Sequence, residues 1–156
     1  MAGEELANPK FHPFWAKCEE LGVLVFMHPL GTRELEPSGR LAGNGLLTNT
    51  IGNPLETTIA LSHLIFEGTL DRFPGLKICA SHGGGFLPSY ANRSDAVITT
   101  FPERVGPLPS KKPTEYIRDG QLYFDSIMFT GEGMRHLIAE AAVSYTHLTL
   151  PTILLV

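Results

Sequence analysis

Two short apolar runs constrain this chain more than any other feature. Val23-Leu24-Val25-Phe26-Met27 ends on His28-Pro29, and Leu76-Lys77-Ile78-Cys79-Ala80-Ser81 ends on His82, followed by Gly83-Gly84-Gly85. A near-continuous apolar run of strand length, without strict alternation, is the pattern of a parallel strand covered on both faces. Each run delivers a histidine to its C-terminal lip, which is where α/β folds keep their chemistry.

The segments around these runs read as helices and loops. Asn8-Pro9 or His12-Pro13 can open a first helix, since asparagine caps and proline tolerates the first turn. Phe14, Trp15, Cys18 and Leu21 then recur at near-helical spacing, and Gly22 closes the segment. Leu30 to Asn53 turns to Gly, Pro, Asn, Thr and single charges, a loop of a length that is uncommon unless functional. Asn53-Pro54 supplies a cap and a first-turn proline for a second helix, whose apolar face is Leu55, Ile59, Leu61, Leu64, Ile65 and Phe66 and which ends at Gly68. Phe86 to Asp95 reads as a helix launched by the glycines. Four prolines between 102 and 113 mark an extended loop, with a short helix from Thr114 to Arg118. Leu122-Tyr123-Phe124 is a third short strand ending in Asp125, and a covering helix follows over Gly133 to Glu140. Strands alternating with helices in this order predict an α/β fold, a parallel sheet or part of a barrel.

Composition narrows the function classes. Of 156 residues 43% are hydrophobic and 18% charged, which is ordinary for a globular protein. The formal charge of -4, with no clustered Lys/Arg run, argues against nucleic acid or an anionic membrane surface as partner. Cys18 and Cys79 show no metal or redox spacing and read as reduced core thiols. The acidic start Met1-Ala2-Gly3-Glu4-Glu5 has no apolar leader, and no apolar run is long enough to span a membrane, so a cytoplasmic location is expected. Ser144 to Val156 breaks the charge pattern before it and resembles a translated sequencing adapter. The expected organisation is therefore a domain over 1–142 and a non-native tail over 143–156, which leaves His147 without function.

Four residues can carry chemistry. His28, fixed by the proline after it, is suited either to a divalent metal or to a hydrogen bond with a neighbouring loop. His82 is placed for acid/base work, and the three glycines after it would leave bare backbone for a substrate or metal-bound water to approach. A phosphate cradle is the competing use of such glycines, but neither GxGxxG nor GxxxxGK[ST] is present. Arg93, eleven residues past His82, has a guanidinium that suits a carboxylate, or it is a solvated helix residue. Asp125 either supports the site from behind or caps the next loop. His12, His63 and His136 read as surface or packing residues.

Phe11-His12-Pro13-Phe14-Trp15 leading to Val25-Phe26-Met27-His28-Pro29, and Phe73-Pro74-Gly75-Leu76-Lys77-Ile78 leading to Ser81-His82-Gly83-Gly84-Gly85, resemble the amidohydrolase-2 family. The resemblance runs from about Asn8 to Glu140 and is nearest to the decarboxylase branch, which includes aminocarboxymuconate-semialdehyde and γ-resorcylate decarboxylases. It implies a metal-dependent (β/α)8 TIM barrel, of which this chain carries strands five to seven. It also implies that His28 is the strand-five metal ligand and His82 the strand-six acid/base histidine. Arg93 falls where members carry an arginine that reaches a neighbouring subunit's substrate carboxylate, and Tyr123-Phe124-Asp125-Ser126 matches strand seven.

The function implied is non-oxidative decarboxylation of a small unsaturated or aromatic carboxylic acid by a homodimeric parent enzyme holding zinc, or alternatively manganese. Hydrolysis of a lactone, amide or ester is the rival chemistry, and a non-catalytic truncated product the rival class. The family's first-strand ligand motif and strand-eight aspartate have no counterpart here. Since a catalytic zinc takes about three protein ligands, the fragment alone is expected to bind no metal tightly and to be inactive. Three strands with unpaired edges also predict poor solubility.

Overall fold

The computed structural model describes residues 4–32, 35–104 and 106–141. The expected domain boundary near residue 142 and the tail over 143–156 lie outside the described residues.

A 3-10 turn over Pro9–Phe11, capped by the Asn8 side chain, runs directly into α1, His12–Leu21. Both openings available to the first helix are therefore used in succession. Gly22 ends α1 with a left-handed φ of 63°. Strand β1 is Leu24–Met27. After it come a 3-10 turn at Gly43–Gly45 and a π turn at Thr48–Gly52, which flows into α2, Asn53–Phe66. Asn53 is thus the first residue of α2 with helical φ and ψ, and not its cap, because the preceding turn already supplies helical backbone. The one-turn helix α3, Thr69–Arg72, leads to strand β2, Lys77–Ala80. Helix α4, Leu87–Thr100, is longer than its apolar spacing suggested. Helix α5, Pro113–Arg118, strand β3, Leu122–Phe124, and helix α6, Gly131–Glu140, complete the order.

The sheet is parallel with order β1-β2-β3. Val25, Ile78 and Leu122 share one register level, Phe26, Cys79 and Tyr123 the next, and Met27, Ala80 and Phe124 the last. Side chains alternate across a strand, so the first and last levels face one side. That side packs on the helices: Ile78, Ala80, Leu122 and Phe124 join Leu61, Leu64, Ile65, Leu87 and Tyr116 in one core, with Val25 and Met27 against it. Gln121, buried just ahead of β3, donates from Nε2 to the carbonyls of Leu70 (3.1 Å) and Phe73 (3.0 Å), which ties α3 to the sheet.

The other face differs from expectation. Leu24 and Phe26 are 41% and 50% exposed, so β1 is covered on its helix side only. An apolar run does not distinguish cover supplied by this chain from cover supplied by further strands. No helix among the described residues is long and apolar enough to cross a membrane.

Candidate functional site

The three strands end in one layer. Ser81 N–H donates to the Met27 carbonyl at 3.0 Å and Asp125 N–H to the Ala80 carbonyl at 3.1 Å. The ladder so extended sets His28, the Ser81-His82 step and Asp125 side by side at the C-terminal lip. The rings of His28 and His82 lie with centroids 5.0 Å apart, inclined by 62°. His28 Nδ1 is 2.8 Å from the Pro29 carbonyl oxygen. A carbonyl can only accept, so Nδ1 carries a proton, which in the neutral ring leaves the lone pair on Nε2, the form in which histidine binds a metal.

His82 sits at φ 57°, a conformation in which side-chain-bearing residues are uncommon. Its Nδ1 lies 3.2 Å from the hydroxyl of buried Ser81. Burial, then the proximity of His28, hold the His82 imidazole below its ordinary value, while the Asp125 carboxylate opposes them. Asp125 is 2% exposed. Its Oδ2 accepts from His82 N–H at 3.1 Å, and its Oδ1 accepts from Gly83 N–H at 2.8 Å and Ile127 N–H at 3.2 Å. Asp125 thus bonds both the backbone of the His82 turn and that of its own following loop. Beneath the site, burial and the Asp125 charge push the Cys79 thiol up to about 11, leaving it an inert thiol at neutral pH.

The glycines have a different role from the one expected of them. Gly83, Gly84 and Gly85 face protein atoms: a Cβ at each would come within 2.3 Å of Met128 Sδ, 2.5 Å of the Phe124 ring and 2.2 Å of the Pro54 carbonyl oxygen, respectively. The turn is bare because β3, its following loop and α2 close against it, not to admit a ligand. Thr58 completes the join, its hydroxyl accepting from Phe86 N–H at 2.7 Å and donating to the Pro54 carbonyl at 2.8 Å. Thr58 did not stand out in the sequence, where a single hydroxyl carries no signal of a partner 28 residues away.

Arg93 is exposed on α4 and is not brought to the histidine pair. A cleft of about 500 Å³ opens beside His28, lined among others by Leu6, Met27, Pro29, Thr32 and Thr57, and His82 does not line it. His12 packs edge-on against Phe73, His63 pairs with Glu67, and His136 meets the Ser89 hydroxyl. Among the described residues no three His, Cys, Asp or Glu side chains form a metal-holding group. His28 fits a divalent metal as one ligand, but Asp125 is taken up by three amides, so these residues do not make a metal site by themselves.

Parallel strands with helices over one face and paired imidazoles at the C-terminal lip make an α/β fold with its candidate site at the strand ends. The amidohydrolase family model matches residues 1–143, and the chain belongs to that family. The 2-amino-3-carboxymuconate-6-semialdehyde decarboxylase of Dictyostelium discoideum is 32% identical over 136 residues, 87% of this chain and 36% of that protein. The 6-methylsalicylic acid decarboxylase of Penicillium expansum is 31% identical over 121 residues, 78% of this chain and 35% of that protein. The solved 5-carboxyvanillate decarboxylase of Sphingomonas paucimobilis matches with TM-score 0.76 and 26% identity, covering 90% of this chain and 42% of that one. The chain thus spans about a third of the length of the curated relatives it matches.

Proposed function

We propose that this chain is the strand-five to strand-seven portion of a metal-dependent, non-oxidative decarboxylase acting on a small unsaturated or aromatic carboxylic acid. The observation that carries this reading is the meeting of His28 and His82 at adjacent strand ends, in a chain whose relatives named above are decarboxylases. Those names favour carbon dioxide release over hydrolysis of a lactone, amide or ester.

In the whole barrel a divalent metal, zinc or manganese, would supply Lewis-acid polarisation of the substrate when bound. His28 offers Nε2 as one ligand, and the remaining donors come from parts of the barrel this chain does not span. The carbon–carboxylate bond breaks, its electron pair stays on the ring or alkene carbon, and a proton must reach that carbon. His82, half-buried and with its Nδ1 beside the Ser81 hydroxyl, is the residue here that can relay that proton. Arg93, exposed on α4, is assigned to a substrate carboxylate across the interface of a homodimer. Two free, buried cysteines suit a reducing cytoplasm.

In the full-length enzyme His82→Ala should abolish carbon dioxide release and leave metal content intact. Release at the wild-type rate would sink the assignment.

A further inference from the structure

We propose that Asp125 is the positioning residue for His82: its carboxylate, delivered from β3, fixes the backbone turn that aims the imidazole at the His28 side of the site. Four observations carry this. His82 and Gly83 are consecutive residues with φ of 57° and 58°. In that conformation their two N–H groups point the same way and form a small anion-binding concavity. Both are filled by one carboxylate, Oδ2 for His82 and Oδ1 for Gly83. That carboxylate is 2% exposed and lies 43 residues further along the chain, so it ties the lip of one strand to the lip of the next.

Capping the loop after β3 would need only the Ile127 bond at 3.2 Å. Two of the three bonds instead go to the turn bearing His82, a non-glycine residue in a disfavoured conformation of the kind found where structure holds a functional side chain in place. Met128, on the same loop, lies where a Gly83 side chain would be, so this turn takes only glycine at 83. Only an acid at 125 presents acceptors on both oxygens. An asparagine that keeps its oxygen on Gly83 and Ile127 turns its NH2 toward the His82 N–H, and the bond to His82 alone is lost.

The catalytic half of this inference rests on the proton-relay role proposed for His82; the positional half does not. The test uses Asp125→Asn in the full-length protein, with amide hydrogen exchange and steady-state decarboxylation as separate readouts. The His82 amide should exchange at least tenfold faster while Gly83 and Ile127 stay protected. The turnover number should fall at least tenfold, with KM within twofold and metal content unchanged. Undisturbed His82 protection, or an equal rise at all three amides, overturns the positional claim. Selective loss at His82 with normal turnover overturns the catalytic one. If His82→Ala retains activity, the relay reading fails on its own, and the exchange result still decides what Asp125 holds. Should Asp125→Asn not fold, the wild type decides the positional claim: rapid exchange at His82 and Gly83 refutes it.

Discussion

Gly85→Ala isolates the contact on which the His82 turn closes. Gly85 has φ 65° and ψ -126°, a backbone region essentially reserved for glycine, and a side chain there costs on the order of 1–3 kcal/mol. The new Cβ would also stand 2.2 Å from the Pro54 carbonyl oxygen and 2.6 Å from Thr58 Oγ1. The first is backbone of α2 and cannot swing aside. Moving it breaks the relay in which Thr58 bonds both Pro54 and the Phe86 amide, two hydrogen bonds worth about 1 kcal/mol each. The sum is roughly 3–5 kcal/mol, a large share of the 5–15 kcal/mol of a typical domain. Gly120→Ala is the matched control, since Gly120 has φ 82° with nothing within 4 Å of its added Cβ. It should cost only about 1–2 kcal/mol for the left-handed backbone. Urea unfolding of the purified protein followed by circular dichroism measures both. A Gly85→Ala loss within about 0.5 kcal/mol of the Gly120→Ala loss, comparable to the scatter between independent sites, would refute the argument that this turn is closed by packing.

Leu64→Ala empties a fully buried position of the α2 face and should lower stability by about 2–5 kcal/mol in the same assay. Calorimetric titration of the 156-residue chain with zinc or manganese should show no tight stoichiometric binding, because among the described residues no three His, Cys, Asp or Glu side chains form a metal-holding group; a sharp one-to-one isotherm would contradict this. Cys79, with its thiol pushed up to about 11, should resist iodoacetamide at pH 8 until the protein unfolds, as read by mass spectrometry of the labelled peptide. The Asp71–Tyr116 pair predicts a pH-dependent contribution with two limits. Burial pushes Asp71 up, but hydrogen bonds from Ser110 and Tyr116 outweigh it, so its folded value lies below 3.8. That stabilisation is present above 3.8 and is lost as pH falls through the folded value. Burial and the Asp71 bond raise Tyr116 above 10.0, so its share is complete below pH 10 and is lost as pH rises through the raised value. The stability gap between wild type and Tyr116→Phe, from urea midpoints, should therefore be widest between these limits and narrow outside them.

The strand ends were legible because an apolar run that stops on a histidine is a local event: Met27-His28 and Ala80-Ser81-His82 announce both the strand and its lip. Gly22 and Gly68 were legible for the same reason, each holding a left-handed φ beside a helix terminus. What was not legible depended on distance along the chain. Whether the glycines after His82 open toward a ligand or close against protein is decided by Met128, Phe124 and Pro54, from three separate elements. The three N–H groups on Asp125 come from residues 2, 42 and 43 positions away; the local cap was among the readings of Asp125, but nothing in Phe124-Asp125-Ser126 names the two distant amides. The start of α2 was misplaced because a π turn carries helical backbone past the expected cap. The half-bare β1 was misread because continuous hydrophobicity records burial in a finished structure without saying which chain segment provides it.

That last point joins the fold to the chemistry. Val25, Met27, Ile78, Ala80, Leu122 and Phe124 face the helices and form a core that this chain fills by itself. Phe26, Cys79 and Tyr123 occupy one register level on the opposite face, with Leu24 and Lys77 below them. In an eight-stranded barrel that opposite face is the interior, filled in layers by side chains from alternate strands. Phe26, half exposed there, and Tyr123 on the alternate strand would share one such layer, with its remaining members on strands other than β1, β2 and β3. With His28 as the proposed metal ligand, the same strands would supply its further donors, since such a barrel places its active site directly above that packed interior. On the proposed reading, closing the apolar face and completing the metal centre would be one event: the strands that cover Phe26 would also bring His28 its further ligands.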